Sequence, residues 1–387
     1  MRERKPAVGA KTGRHSHPRG RTFRRLPVAF LFLFALLAGG QGFPAGSLAA
    51  QEQPTVAKDS VQVNAFTFNV YRGSFDTWSW VPRMEFRVKG PIPSGSQLYA
   101  EFNIPGAGPW VKFDCKTEEK QAGYWLKTEC GGRQIPEDKG STHTGPVGFA
   151  IKLRNELMGS DTTLFNGRMK VEKARANAAK PNWLVYYVNH DWNLPVGYVF
   201  LTPADVGGWK RPMLNVAFWA RGPYHGNFQP HLFYQGKEVG KISFEGREVG
   251  KPICDPEVQH EPTQSVLDTL PQKAMWMRVR CRFFNVQGWD QTGAEPGLFG
   301  PLHRLDQNPG EYEFKVLWNN RLARSIKFTA GAEGKPDDGV ASANKLGSDR
   351  AVVAVQIIGD QDGTWDRAAW KTEAFYGNAL TGFAPPP

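Results

Sequence analysis

Two long stretches of this chain carry the same landmarks in the same order. In the first, Val70-Tyr71 leads to Trp80, to Met84-Glu85-Phe86-Arg87-Val88, and to Lys89-Gly90-Pro91. In the second, Val199-Phe200 leads to Trp209, to Asn215-Val216-Ala217-Phe218-Trp219, and to Arg221-Gly222-Pro223. Aromatic pairs follow (Tyr99 and Phe102, then Phe233 and Tyr234), and after them Cys115 and Cys254. Trp125 then precedes Cys130, and Trp276 precedes Cys281, by five positions each. Each copy closes on a hairpin pattern, Phe149–Leu153 returning through Met169–Val171 and Tyr312–Val316 returning through Ile326–Phe328. One module used twice restricts the architecture more than any composition figure does.

Inside each copy the periodicity is that of strands. Met84, Phe86 and Val88 alternate with charged residues, as do Tyr312, Phe314 and Val316. Gly/Pro turns such as Gly90-Pro91, Pro105-Gly106, Gly222-Pro223 and Pro309-Gly310 punctuate them. Alternation means one buried and one wet face, which suits antiparallel sheets packed as sandwiches. The expected fold is all-β, with two tandem antiparallel sandwiches at 50–180 and 181–334. A C-terminal part, 335–387, should hold a linker, a strand and a short helix packed on the second sandwich. Gly331–Ser348 reads as a loop, and Val352–Ile358 as a strand apolar enough to be buried on both faces. Helical spacing is confined to Val171–Ala179, a short connector, and Trp365–Phe375.

The stretch Pro309-Gly310-Glu311-Tyr312-Glu313-Phe314-Lys315-Val316, with the Asn319-Asn320 turn, resembles the closing hairpin of the tandem immunoglobulin-like or fibronectin-like modules of secreted bacterial proteins. The likeness covers about twenty residues and otherwise only the strand count. It implies architecture and carries no activity. The cysteine spacings, 15 and 27 residues, are too short for the inter-sheet bridge of antibody domains.

The N-terminus reads as a targeting segment. Nine basic residues and Glu3 lie in residues 1–49, and Arg24-Arg25 is followed by the uninterrupted apolar run Leu26–Ala38. Ser47-Leu48-Ala49 then offers the small-x-small pattern of a cleavage site, so 1–49 is expected to be a signal peptide. Thirteen apolar residues fall short of the roughly 20 that span a bilayer, so membrane attachment is expected only if this segment is retained as an anchor. The expected location is secreted, periplasmic or on the cell surface. In such a compartment four cysteines form two bridges, and of the three connectivities the duplication selects Cys115–Cys130 with Cys254–Cys281.

The net charge of +11 suggests a polyanion partner until the leader is removed. Of the 48 basic and 37 acidic residues, 39 and 36 lie beyond residue 49, a net of +3. That balance argues against a nucleic-acid partner.

No catalytic constellation emerges. His190-Asp191 is the one adjacent His–Asp pair, but neighbours on a strand point to opposite faces, and no nucleophile elbow accompanies it. His225, His231 and His303 are too scattered for a metal site. Asp360-Gln361-Asp362-Gly363 with Asp366 resembles the start of a calcium loop, yet Trp365 stands where that loop needs its glycine, so an Asp-Gly turn is expected. Neither a cofactor nor a metal is expected.

Thirteen tryptophans exceed what two modest cores need. Most should be buried, and any left exposed would stack on sugar rings or anchor a protein partner. Trp289, in the polar stretch Gln287–Gln291, is the first candidate, with Trp78 and Trp80, two apart on one strand face, behind it. The function expected is non-catalytic: binding or structural work outside the cell, with extracellular polysaccharide or a protein as partner. The alternatives are an extracellular hydrolase of polymeric carbohydrate and an accessory subunit of an envelope assembly.

Overall fold

In the computed structural model the alternation becomes strand. The structure describes residues 53–386, apart from 73–74, 119–124, 132–136, 156–158, 178–179, 203–211, 223–227, 241, 245–246, 250–251, 261–270, 290–301 and 347–348. Met84, Phe86, Val88, Tyr312, Phe314 and Val316 are buried, and the charged residues between them are exposed or half-buried. The leader, Trp209 and His225 lie outside the described residues.

The first sheet has nine strands: β1 (Thr55–Val56), β2 (Gln62–Arg72), β3 (Phe75–Lys89), β4 (Ser96–Ile104), β5 (Gly108–Thr117), β6 (Leu126–Cys130), β7 (Gly145–Asn155), β8 (Ser160–Asn177) and β9 (Lys180–Val188). The remaining strands are β10 (Val196–Leu201), β11 (Met213–Arg221), β12 (Phe228–Tyr234), β13 (Lys237–Glu238), β14 (Ile242–Phe244), β15 (Arg247–Val249), β16 (Ile253–His260), β17 (Trp276–Gln287), β18 (His303–Arg304), β19 (Gly310–Trp318), β20 (Arg321–Ala330) and β21 (Ala351–Ile357). All but the small β14–β15 hairpin belong to a second, ten-stranded sheet. Each large sheet curls as a half-barrel, and two short helices, α1 (Gly339–Ala343) and α2 (Ala369–Gly377), complete the fold.

The two sheets repeat one order of pairing. The first runs β2-β3-β6-β5-β4-β7-β8-β9; the second runs β10-β11-β17-β16 from one side and β13-β12-β19-β20-β21 from the other. Strand for strand these correspond, with β5 replaced by the pair β13 and β16. The seam differs. In the second sheet β21 pairs with β10, and among the described residues the ladder is open between β13 and β16. In the first, β5 is continuous, and β9 lies beside β2 with no ladder between them among the described residues; Thr67 bridges the two, its hydroxyl accepting from Tyr186 N at 2.8 Å and donating to Tyr186 O at 3.1 Å. Both disulfides join register partners on corresponding strands, Cys115–Cys130 across β5–β6 and Cys254–Cys281 across β16–β17.

Residues 52–387 form one compact unit. Its two main cores share a wall. On β10, Val196, Tyr198 and Phe200 face the first core, and Val199 faces the second. On β11, Leu214, Val216, Phe218 and Ala220 fill the second core while Ala217 reaches the first. These strands have no wet face, so the alternation of apolar and polar residues seen in β3 and β19 is absent from them.

Three local expectations change. Val171–Asn177 is the end of β8, not a helical connector: its helix-favouring Ala, Glu, Lys and Arg residues are overridden by pairing with β9 from Val171↔Val188 to Arg175↔Leu184. The loop read over 331–348 contains α1, whose Ala341 is buried in the first core. The last strand, β21, does join the second sheet, but α2 rests on the first. Phe375 packs on Trp192 at 5.2 Å and Tyr376 on Phe149 at 5.4 Å, and the Tyr376 hydroxyl accepts from Val63 N at 2.8 Å. Phe375 and Tyr376 hold left-handed φ angles of 50° and 60°, a conformation costly for bulky residues and maintained here by burial of both rings.

Candidate functional site

The tryptophans singled out by sequence do not assemble. Trp80 is wholly buried, donates its indole N–H to His143 O at 2.9 Å and packs edge-on to Trp110, so it offers no face to a ligand. Trp78 is half-buried on the same strand, 5.8 Å from the Trp183 ring. Trp289 is half-buried beyond the end of β17, in the other sheet. Among the described residues, Ile253 on β16 is the one large apolar side chain that counts as exposed, at 44%.

His190 and Asp191 sit in the turn between β9 and β10, both buried. The His190 ring donates from Nε2 to Val63 O at 3.1 Å and lies edge-on to Trp276 and Tyr376. Burial pulls its pKa down to about 3. An imidazole so enclosed is a neutral core group, not an accessible base. Nor do the remaining histidines converge: His231 pairs with Glu238 at 2.7 Å, and His303 donates to the Tyr312 hydroxyl at 2.9 Å. No group of three or more His, Cys, Asp or Glu able to hold a metal ion occurs among the described residues.

What the fold does build is a groove around the segment joining β21 to α2. Asp360 to Gly363 forms the expected Asp-Gly turn, with Gly363 N donating to Asp360 O at 2.9 Å and Gly363 at φ 68°. Asp362 is no calcium ligand. Its two carboxylate oxygens accept from Arg324 Nη2 at 2.7 and 2.6 Å, in a pair almost wholly buried, and one also accepts from Arg221 N at 2.9 Å. The Arg221 guanidinium donates to Thr364 O and, at 3.0 Å, to Lys273 O. Gln272 reaches Gln361 O at 2.6 Å, and Asp191 accepts from Asp366 N at 2.9 Å. Burial raises the Asp191 pKa against the pull of Arg221. Residues 361–366 are therefore fastened to β11, β20, the β9–β10 turn and the turn before β17, with the Asp362–Arg324 and Asp191–Arg221 pairs at the centre of the clamp buried from water.

Beyond that anchor, Trp365 and Trp370 line a cavity of about 400 Å³ together with Pro195, Val355, Ile357, Ala368, Pro385 and Pro386. Trp365 packs against the small core around Trp276, and Trp370 lies edge-on to Phe383. Two cations complete the lining: the Arg367 guanidinium lies 5.2 Å from the Trp365 ring centre, and Lys371 Nζ 6.0 Å from that of Trp370. Both lie within reach of a cation–π contact. The helical spacing of Trp365–Phe375 is one sequence signal here. A second signal, outside the expectations above, is an indole followed within two residues by a cation, twice, at Trp365/Arg367 and Trp370/Lys371.

No protein-family model and no curated protein matches this chain.

A second, smaller cavity of about 150 Å³ lies among Ser60, Gln62, Glu85, Glu257, Arg278 and Arg350. Its central carboxylate is spoken for. Glu257 accepts from Arg278 at 2.8 Å and from both terminal nitrogens of Arg350, and despite burial these cations hold its pKa down to about 2. A carboxylate kept ionised to that degree cannot serve as a general acid near neutral pH. The ion triad braces the structure.

Proposed function

We propose that this chain is an exported, non-catalytic binding protein that holds an extracellular polysaccharide or a protein partner in the groove between Trp365 and Trp370. The observation that carries this reading is the fixed aromatic lining: two half-buried indoles on a segment clamped by buried ion pairs, beside exposed basic side chains. Rigid aromatic faces with few ordering costs are what recognition sites use, and the buried clamp supplies that rigidity. Export is inferred from the leader pattern at 1–49 and agrees with the two bridges and with the lack, among the described residues, of any helix long and apolar enough to cross a membrane.

The accessory-subunit reading has one supporting observation, Ile253 exposed at the start of β16, which among the described residues pairs only with β17. Against it, β16 carries Pro256 and a register shift at Pro256/Val258, devices that blunt an edge against strand addition.

The reading is tested by electrophoresis of the exported chain through native gels containing neutral or acidic polysaccharides. Retardation by at least one polymer, lost in Trp370→Ala, is the expected result. Unchanged mobility throughout, with new reducing ends appearing in the polymer, would move the assignment to the hydrolase.

A further inference from the structure

We infer that the ligand of the groove is an acidic polysaccharide of the uronate class, its carboxylates held by Arg367 and Lys371 and a sugar face by Trp370. This deepens the binding reading above and rests on it. Charge in the groove wall formed by α2 and the turn before it is of one sign. The two ionisable side chains in the groove lining are both basic, and both residues are exposed. The acids of the same segment are engaged elsewhere. Glu373 is half-buried on α2, which packs against β8 of the first sheet, and burial raises its pKa. Asp366 accepts from Ala368 N at 2.8 Å. Asp362 is consumed by Arg324. The groove lining thus presents two cations and no carboxylate, a surface complementary to an anionic ligand.

The indoles decide which kind of polyanion. An acidic peptide would satisfy the two cations and leave the aromatic lining unused. A pyranose ring with a carboxylate at its edge satisfies both, because its C–H face covers an indole while the carboxylate reaches a guanidinium or ammonium beside that ring. Arg367 lies over Trp365, and a guanidinium held on an aromatic face keeps its N–H fork free to meet a carboxylate in plane.

The experiment is a titration of tryptophan fluorescence in the full exported chain with polygalacturonate, with the same polymer fully methyl-esterified, and with poly-glutamate. Expected is saturable binding of polygalacturonate, weaker by about ten-fold or more for the ester, as the loss of charge-assisted hydrogen bonds dictates. A comparable loss is expected in Arg367→Gln/Lys371→Gln, whose exposed side chains can be changed without disturbing the core, and in Trp370→Ala. Equal affinity for acid and ester would overturn the uronate assignment and leave the binding reading standing. Tighter binding of poly-glutamate, unchanged in Trp370→Ala, would assign the groove to acidic protein instead. No response to any of the three, together with no retardation in the gels described above, would remove both readings.

Discussion

At the scale of single residues, the groups that fix this molecule are the charges and the imidazole it keeps from water. His190 is the sharpest case. Its pKa lies near 3 in the folded chain because burial penalises the imidazolium, against about 6.5 when unfolded. Below pH 6.5 the unfolded chain binds the proton and the folded one does not, so stability falls as pH falls, by up to about 1.4 kcal/mol per pH unit. Glu257 acts with the opposite cause and the same direction. Its folded pKa is depressed to about 2 by Arg278 and Arg350, so its contribution is complete above pH 4.5 and is lost between pH 4.5 and 2. Urea unfolding at pH 7.0, 5.5 and 4.5 should therefore show a loss of stability as pH falls, opposed in part by Asp191 and Glu373, whose raised folded pKa values favour the folded state as they take up protons. His190→Gln, which keeps a donor for Val63 O, should be less stable at pH 7.0 and show a shallower slope. A slope identical to that of the parent chain would mean that His190 is not the group being charged.

At the scale of elements, strand was legible wherever one face is wet and unreadable in detail where neither is. Met84-Phe86-Val88 announced β3, and the duplicated landmarks anticipated a pairing order that the two sheets do share. Val199-Phe200 and Asn215–Trp219 were legible as landmarks of the repeat but did not show that β10 and β11 face two cores, because burial on both faces erases the period. Val171–Asn177 misled through its composition, since its pairing with β9 is a long-range fact. Likewise Trp365 and Trp370 could be seen, but not the Asp362–Arg324 clamp, 38 residues apart in sequence, that turns their segment into a groove wall. The cysteines were readable because equal landmarks flank both pairs. The two bridges nevertheless hold unequal positions. Cys115–Cys130 joins interior strands, β5 also pairing with β4 and β6 with β3; Cys254–Cys281 holds β16, which has β17 as its sole strand partner among the described residues. Each closed loop is worth about 3–4 kcal/mol in the chain-entropy model. Replacing either pair by alanine should cost about that much in global stability. Only the second replacement should also expose the β16 amides to hydrogen exchange without global unfolding. Equal protection of β16 in both variants would show that segments other than β17 hold that edge.

At the scale of the whole molecule, the shared wall determines how the fold comes apart. A chain with two sheets of nine and ten strands would ordinarily be expected to unfold in steps, sheet by sheet. Here the faces of β10 and β11 belong to different cores, and β21, near the C-terminal end, sits between β10 and β20 and sends Val352 to the first core and Val355 to the second. Neither sheet can open without exposing apolar surface on the other. Calorimetry should therefore show one heat-capacity peak, with the calorimetric enthalpy close to the van't Hoff value. Two neighbouring residues make the test specific, because Tyr198 points into the first core and Val199 into the second. Truncating either to alanine leaves a cavity worth about 2–5 kcal/mol, the valine at the lower end. If the wall couples the cores, both variants lower the midpoint of the same single transition. If the sheets are independent, Tyr198→Ala splits off an early transition in which the first-sheet amides exchange alone, and Val199→Ala splits off one confined to the second.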